Sequence, residues 1–300
     1  MHTGIFLMTA KYNVHWYKTS WGLVGEQNTY SNFSDFVNSA HSEGYHGVEF
    51  PINALGLTPD NYDGALSSLA AHISELGLKV IPLIATRPVE WSSPTAHFVD
   101  FNKQLAAARI LGASKVAVHA GADTFSMSDM ISFFRKCIDE AEKLNITPCF
   151  ETHRARPFYH PIITSKILDQ IPELKLTSDL SHWVLVLDRL PYDCIELINQ
   201  ASARSDHIHA RLGAEKLPQI VDPENSVWSE HLSFFLKQWD ISFQNASKNK
   251  RPISVVPEYG PPPYMPVHPE NGKSLGDIQT LNMWIKTKIE QVINTPEEVQ

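Results

Sequence analysis

Residues 174–180 read Leu-Lys-Leu-Thr-Ser-Asp-Leu and run on into Ser-His-Trp at 181–183. An apolar strand ending in an aspartate, with a histidine three residues later, means little alone, because Asp and His also serve as turn and cap residues. It gains meaning because the pattern recurs. TPCFETH (147–153), DHIHARLG (206–213) and ISVVPEYG (253–260) likewise pass from apolar residues to a carboxylate or imidazole. Working outward, GIFLMT (4–9), HGVEFP (46–51), LKVIPLIAT (78–86) and SKVAVHAG (114–121) complete a set of eight strand candidates.

Amphipathic segments with helical spacing alternate with these runs, for example Phe33-Phe36-Val37-Ala40, Leu66-Leu69-Ala70-Ile73, Ile131-Phe134-Ile138-Ala141 and Leu281-Trp284-Ile285-Ile289. Eight βα units with near-continuous apolar strands predict a parallel sheet covered by helices. Closure at eight strands favours an α/β fold of the (β/α)8 barrel type, one domain over residues 1–300, above an open doubly wound sheet. The connection from Tyr12 to about Tyr30 reads as a long aromatic loop after strand one, and GPPPYMPVHP follows strand eight. In such a barrel the active site lies at the C-terminal strand ends, so both loops read as substrate walls.

Bulk properties narrow the function. With 43% hydrophobic and 19% charged residues, the chain has the material for a sizeable core. A formal charge of −8 and the lack of any run of Lys or Arg weigh against nucleic acid and anionic membranes. No stretch approaches the ~18 apolar residues of a membrane span, and Gly4 to Met8 is too short for a signal segment. Cys137, Cys149 and Cys194 show no CxxC spacing, so neither a disulfide framework nor a thiolate zinc site is expected, and a reducing cytoplasm is the expected address.

Residues two apart on a barrel strand share a face. If the strand ends face inward, Glu151, Asp179, His209 and Glu258 converge at the mouth. Three carboxylates packed together repel unless a cation sits among them. An oxygen-rich set with one imidazole suits one divalent ion, Mn2+ or Mg2+ before Co2+ or Zn2+. His182, three residues beyond Asp179, is placed to face substrate or to hold a second metal. His207 reads as a core or supporting residue on the His209 face. His119 is open between substrate contact, second ligand and structure, and Glu49 at the end of strand two is similarly open. Lone helical histidines such as His72 and His97 are assigned to the surface. Trp16, Tyr17, Trp21, Tyr259 and Tyr264 either stack on a sugar ring or pack the long loops.

The pattern of Glu151 in FETH, Asp179-x-x-His182, the paired imidazoles of HIHAR and Glu258 in PEYG resembles the xylose-isomerase-like TIM-barrel superfamily. That grouping holds sugar isomerases and epimerases, hydroxypyruvate isomerases and apurinic endonucleases. The resemblance covers nearly the whole chain, and the ketose 3-epimerase and hydroxypyruvate isomerase branches look closest. It implies a single divalent ion on Glu151, Asp179, His209 and Glu258, with His182 touching substrate. It also implies a small carbohydrate substrate and, as is common in such barrels, a homo-oligomer. The epimerases place a substrate-binding arginine several residues after the histidine, whereas Arg211 follows His209 by only two, so the same role for Arg211 implies a different approach or a different substrate.

The activity expected on these grounds is a metal-dependent isomerase or epimerase acting through an enediolate, with Glu151 and Glu258 as the acid–base pair and His182, Arg211, His119, Glu49 and Trp16 around the substrate. A lyase, dehydratase or hydrolase on the same site is the alternative, since proton abstraction is shared. A non-catalytic sugar-binding barrel has no need of two acid–base carboxylates. The endonuclease reading suffers from the acidic charge and from too few histidines: strand three ends Ile-Ala-Thr-Arg, and Asp222 lacks a histidine two residues on.

Overall fold

The structure, a computed structural model, describes residues 11–26, 28–57 and 62–294. Eight parallel strands close in sequence order: β1 Val14–Thr19, β2 Gly47–Pro51, β3 Lys79–Ala85, β4 Lys115–His119, β5 Thr147–Glu151, β6 Lys175–Ser178, β7 Ser205–Ala210 and β8 Ile253–Pro257. The seam joins β1 to β8, with Val14 opposite Ile253 and Trp16 opposite Val255. Around them run α1 Phe33–Ser42, α2 Tyr62–Glu75, α3 Pro94–Ile110, α4 Met127–Lys143, α5 Pro161–Gln170, α6 Ser181–Leu187, α7 Ile195–Ala203, α8 Ser229–Lys248 and α9 Ile278–Asn294. No helix among the described residues is long and apolar enough to cross a membrane.

The eight-stranded barrel is the architecture the sequence predicts, but its first strand is not where the apolar runs put it. GIFLMT (4–9) lies outside the described residues, and β1 is VHWYKT, inside the stretch expected to be a loop. The sequence hides this strand because Lys18 interrupts it. Lys18 is buried facing the helices, where its ammonium donates to Tyr30 Oη at 2.7 Å and Ser39 Oγ at 3.1 Å and pairs with Glu43 Oε1 at 2.5 Å. A buried charge is tolerated when it is paired in this way. Helix α6, beginning two residues after Asp179, is a second feature the periodicity did not reveal.

Strand residues alternate between two apolar clusters. Val48, Phe50, Val116, Val118, Phe150, Ile208 and Val255 join the helix layer, which holds the larger core. Tyr17, Ile81, Leu83, Ala117 and Val256 form a small plug inside the barrel. Stepping two residues toward the C-terminal ends from Ala117 and Val256 gives His119 and Glu258, so the same inward face that carries the plug carries the polar residues of the mouth. Gly47 makes room for the plug, since a Cβ there would lie 2.2 Å from the Lys79 carbonyl oxygen and 2.5 Å from the Tyr17 ring.

Candidate metal centre and substrate cavity

His209, from the inward face of β7, is the hub of the mouth. Its Nδ1 lies 3.0 Å from Glu151 Oε2 and 3.3 Å from Glu258 Oε2, and its Nε2 lies 3.1 Å from Glu49 Oε1. Although three carboxylates surround it, neither ring nitrogen makes a hydrogen bond of good geometry among the described residues. Burial opposes its charge, but Glu258, Glu49 and Glu151 together hold the His209 imidazole well above its ordinary value. Glu151 is held well below the ordinary carboxylate range: burial works against ionisation, and His119 and His209 outweigh it.

Asp179 is aimed by local structure. Strand β6 shifts register against β7 between Leu176 and Thr177, an irregularity of the kind that re-aims side chains near active sites. Thr152 then pins the strand end, with its hydroxyl donating to the Asp179 carbonyl and accepting from the Asp179 N–H, each at 2.8 Å. Asp179 Oδ1 accepts from the Ser181 N–H at 3.0 Å and the Ser181 hydroxyl at 2.6 Å at the start of α6. That leaves Oδ2 to accept from Arg211 Nη2 at 2.5 Å. Burial pushes the Asp179 carboxyl up, against the pull of Arg211.

Metal-ligating atoms gather here in overlapping groups, each spanning less than 4.8 Å: Asp179, His209 and Glu258; His119, Glu151 and His209; Glu49, His207 and His209; and Glu151, His153 and His182. The four residues expected to share one ion are therefore split between two groups that meet at His209. The donor set suits a cation. Buried carboxylates surround an imidazole whose nitrogens have no good hydrogen bond, which is the arrangement a positive ion between them completes. Arg211 occupies part of that role, with Nη1 3.8 Å from Glu258 Oε2 and its guanidinium over Tyr264 (4.7 Å) and Trp21 (5.5 Å).

Behind the hub a polar column runs down the barrel axis. Lys115 Nζ donates to Ser254 Oγ at 3.0 Å, Ser254 Oγ lies 2.7 Å from His207 Nδ1, and His207 Nε2 lies 2.7 Å from Glu49 Oε2. Burial opposes ionisation of Glu49, yet His209 and His207 bring its carboxyl down to about 2. Burial lowers His207, so its neutral imidazole donates Nε2–H to Glu49 and accepts at Nδ1. Glu49 thus accepts from His207 and lies 3.1 Å from His209 Nε2, on the side of the ring opposite the Nδ1 that faces Glu151 and Glu258.

The mouth opens into a cavity of about 610 Å3 to which Glu49, His119, Glu151, Arg211 and Glu258 all contribute. His119 meets Glu151 through Nε2 and Oε2. His182 is buried, 3.5 Å from Asp179 Oδ2 and 3.8 Å from Glu151 Oε1, and its Nε2 accepts from Arg211 at 3.0 Å. Its ring lies 4.0 Å from that of His153, tilted by 51°, and it sits behind Arg211 and His153, which line the cavity while His182 does not. Burial drives its imidazole well below the ordinary range, as it does for His153, which falls to about 3.

Two further residues differ from expectation. Trp16 points away from the mouth into the helix layer, with Lys286 of α9 5.2 Å from its ring, because even-numbered residues of β1 face outward. His97 is fully buried: Nδ1 lies 2.6 Å from Thr86 Oγ1 and Nε2 2.8 Å from the Trp91 carbonyl, so it fastens α3 to the loop after β3. Tyr17 and Tyr259 are packing residues, whereas Trp21 and Tyr264 line the cavity. Sequence reasoning missed Arg87 and Arg156, which line it too. The only signal was the Arg that ends Ile-Ala-Thr-Arg after strand three.

A family profile described as xylose isomerase-like TIM barrel matches residues 37–225, more than half of the chain. No curated protein sequence matches it. Among solved structures, D-psicose 3-epimerase from Clostridium cellulolyticum H10, solved with D-tagatose, aligns over 94% of this chain and 100% of its own at 13% identity and a TM-score of 0.62. D-allulose 3-epimerase from a Methylomonas species, in complex with D-allulose, aligns over 95% and 99% at 14% identity and a TM-score of 0.60. A probable 3-DHS dehydratase involved in petrobactin synthesis from Bacillus anthracis aligns over 91% and 98% at 13% identity and a TM-score of 0.57. At such identities the likeness to these three enzymes is one of fold. With the profile spanning β2 to β7 and the closed barrel completing it, the chain belongs to the xylose isomerase-like TIM barrel family.

Proposed function

We propose that the protein is a divalent-metal-dependent isomerase or epimerase of a small sugar or hydroxy-carbonyl compound. The observation that carries this reading is the convergence of Glu151 and Glu258 on one nitrogen of His209, at 3.0 and 3.3 Å, at the floor of an open cavity. Glu151, Asp179, His209 and Glu258 would hold the ion, with Mn2+ or Mg2+ the best match to three carboxylates and one imidazole. Such a cation supplies Lewis acidity that stabilises the enediolate formed when a proton leaves the carbon beside a carbonyl.

The proton is moved by this chain's own residues. Glu151 ends β5 and Glu258 immediately follows β8, so the two carboxylates enter the cavity from different strands and one can take a proton from a substrate carbon while the other delivers one. Return to the opposite face of the same carbon epimerises it; return to the neighbouring carbon, with a proton passing from the hydroxyl that becomes the carbonyl to the former carbonyl oxygen, isomerises the compound. Glu151, ionised at neutral pH, is in the form a base needs. Arg211 and His119 orient substrate oxygens, and Trp21 and Tyr264 cover the site from above.

The test is metal analysis of protein purified without added metal, followed by exposure of a ketose panel to the metal-restored protein in D2O. Stoichiometric Mn, Mg or Co with deuterium entering beside a carbonyl is the expected result. Exchange accompanied by loss of water would move the assignment to a dehydratase, and failure to bind metal under any loading would end the proposal.

A further inference from the structure

We infer that the compound taken by this cavity carries an anionic group, a carboxylate or a phosphate, bound by Arg87 and Arg156 on the wall formed by the loops after β3 and β5. The inference rests on the reading of this cavity as the substrate site and adds the class of substrate. The carboxylates of the cavity are already engaged: Glu49, Glu151 and Glu258 each lie within 3.3 Å of a His209 nitrogen. Arg211 is engaged by Asp179. Arginine ion pairs among the described residues are confined to Arg189, Arg211 and Arg251, so neither the Arg87 nor the Arg156 guanidinium is ion-paired there, although Asp100 Oδ2 accepts from the Arg87 backbone N–H at 2.7 Å and Glu151, Asp123 and Asp100 favour the charge of Arg156 from farther off. In a chain of net charge −8, two unpaired arginines on one cavity wall are a placement that solubility does not require.

Arg156 is built in as a receptor would be. It is only 6% exposed, its Nη1 donates to the Gly121 carbonyl at 2.9 Å and its Nη2 to the Thr86 carbonyl at 3.0 Å, and its guanidinium stacks 4.6 Å from the Trp91 ring. A guanidinium has five N–H donors in a rigid fork, so three remain after those two carbonyls, in the geometry that carboxylate and phosphate oxygens match. The residue before it, Ala155, holds a left-handed backbone (φ 59) that turns the loop after β5. Burial, reinforced by the neighbouring positive charge of Arg87, brings Arg156 down to about 10. A bound anion relieves both penalties at once. Clamping Gly121 to Thr86 explains the placement of Arg156 but not that of Arg87, which is exposed at the mouth and lines the same cavity.

The test is calorimetry on the full-length protein at pH 7 and low salt, with and without EDTA, titrating inorganic phosphate, D-gluconate and D-fructose. At least one anion is expected to bind tenfold or more tightly than D-fructose, and to lose tenfold or more in Arg87→Gln, whose exposed position leaves folding intact. Arg156→Lys, which keeps the charge but not the fork, is expected to weaken the same anion while melting near the parent. Preference for phosphate identifies a sugar phosphate, and preference for gluconate a sugar acid. An anion that binds no better than D-fructose, or that is indifferent to Arg87→Gln, overturns the inference. Deuterium exchange of a neutral ketose alongside that negative result leaves the proposed chemistry standing; tight anion binding without exchange on any ketose does the reverse.

Discussion

Substituting Glu49 by Gln tests whether the barrel axis governs the mouth. The carboxylate accepts from His207 Nε2 at 2.7 Å and lies 3.1 Å from His209 Nε2, and it is buried. Glutamine has the same shape but only one acceptor oxygen, and its amide nitrogen would face an imidazole N–H. Flipping the amide only changes which histidine is left unpaired. A buried donor without an acceptor costs about 1–3 kcal/mol. Metal binding needs the neutral imidazole with its proton on Nε2, and if that neutral His209 responds by changing tautomer, the proton moves to Nδ1 and blocks the nitrogen turned toward Glu151 and Glu258. Loss of such a supporting partner weakens metal affinity about 10–100-fold, or about 1.4–2.8 kcal/mol, and the two estimates agree. The assay is calorimetric titration of metal-free Glu49→Gln with Mn2+ at pH 7, with His209→Asn expected to show no binding. An affinity within twofold of the parent would refute the reasoning, since the His209 nitrogen would then need no help from Glu49.

Further outcomes follow from the same geometry. Glu151→Gln and Glu258→Gln are each expected to lower deuterium exchange at least 100-fold while melting near the parent, and unchanged exchange in both would remove them from the chemistry. His97, lowered by burial, binds fewer protons folded than unfolded, so its contribution to stability is intact above the unfolded value of about 6.5 and falls as pH drops below it. Urea unfolding between pH 5 and 7.5 should show His97→Asn losing less stability on acidification, by up to about 1.4 kcal/mol per pH unit, and parallel curves would contradict this. Gly47→Ala should cost about 3 kcal/mol, the upper end for overpacking, because the new methyl meets backbone at 2.2 Å. An unchanged melting temperature would show that β1 and β3 can part there.

How much of this was legible in the sequence depended on whether a residue's pattern or its partner decides its place. Period-two spacing along strands put Glu151, His209 and Glu258 on the inward face, and they are there because alternation is a property of the backbone. Strand β1 was lost because Lys18 makes VHWYKT look polar, and only the distant Glu43 and Tyr30 explain why a lysine can be buried. Trp16 fell with it, since a misplaced strand carries the wrong face assignment. His97 looked like a surface residue because its partners, Thr86 and the Trp91 carbonyl, come from a loop that periodicity does not describe. Arg156 is the same case: two carbonyls from different loops hold it, and no local pattern announces them. The position of Arg211, two residues after His209, was visible, but its seat between Asp179 and Glu258 depends on α6 starting where it does.

The β1–β8 seam has a consequence for how the chain can be rewired. Beside it, the Lys11 N–H donates to the Ile293 carbonyl at 3.2 Å, so two positions 282 residues apart in sequence are hydrogen-bonded neighbours in space. A short linker across that gap, with new termini opened at the Gly77 turn on the barrel floor, would preserve all eight strand pairings and leave the mouth untouched. In such a circular permutant β3 is made first and β2 last, so the order in which the ribosome delivers the strands becomes an experimental variable, separable from the geometry of the cavity they enclose.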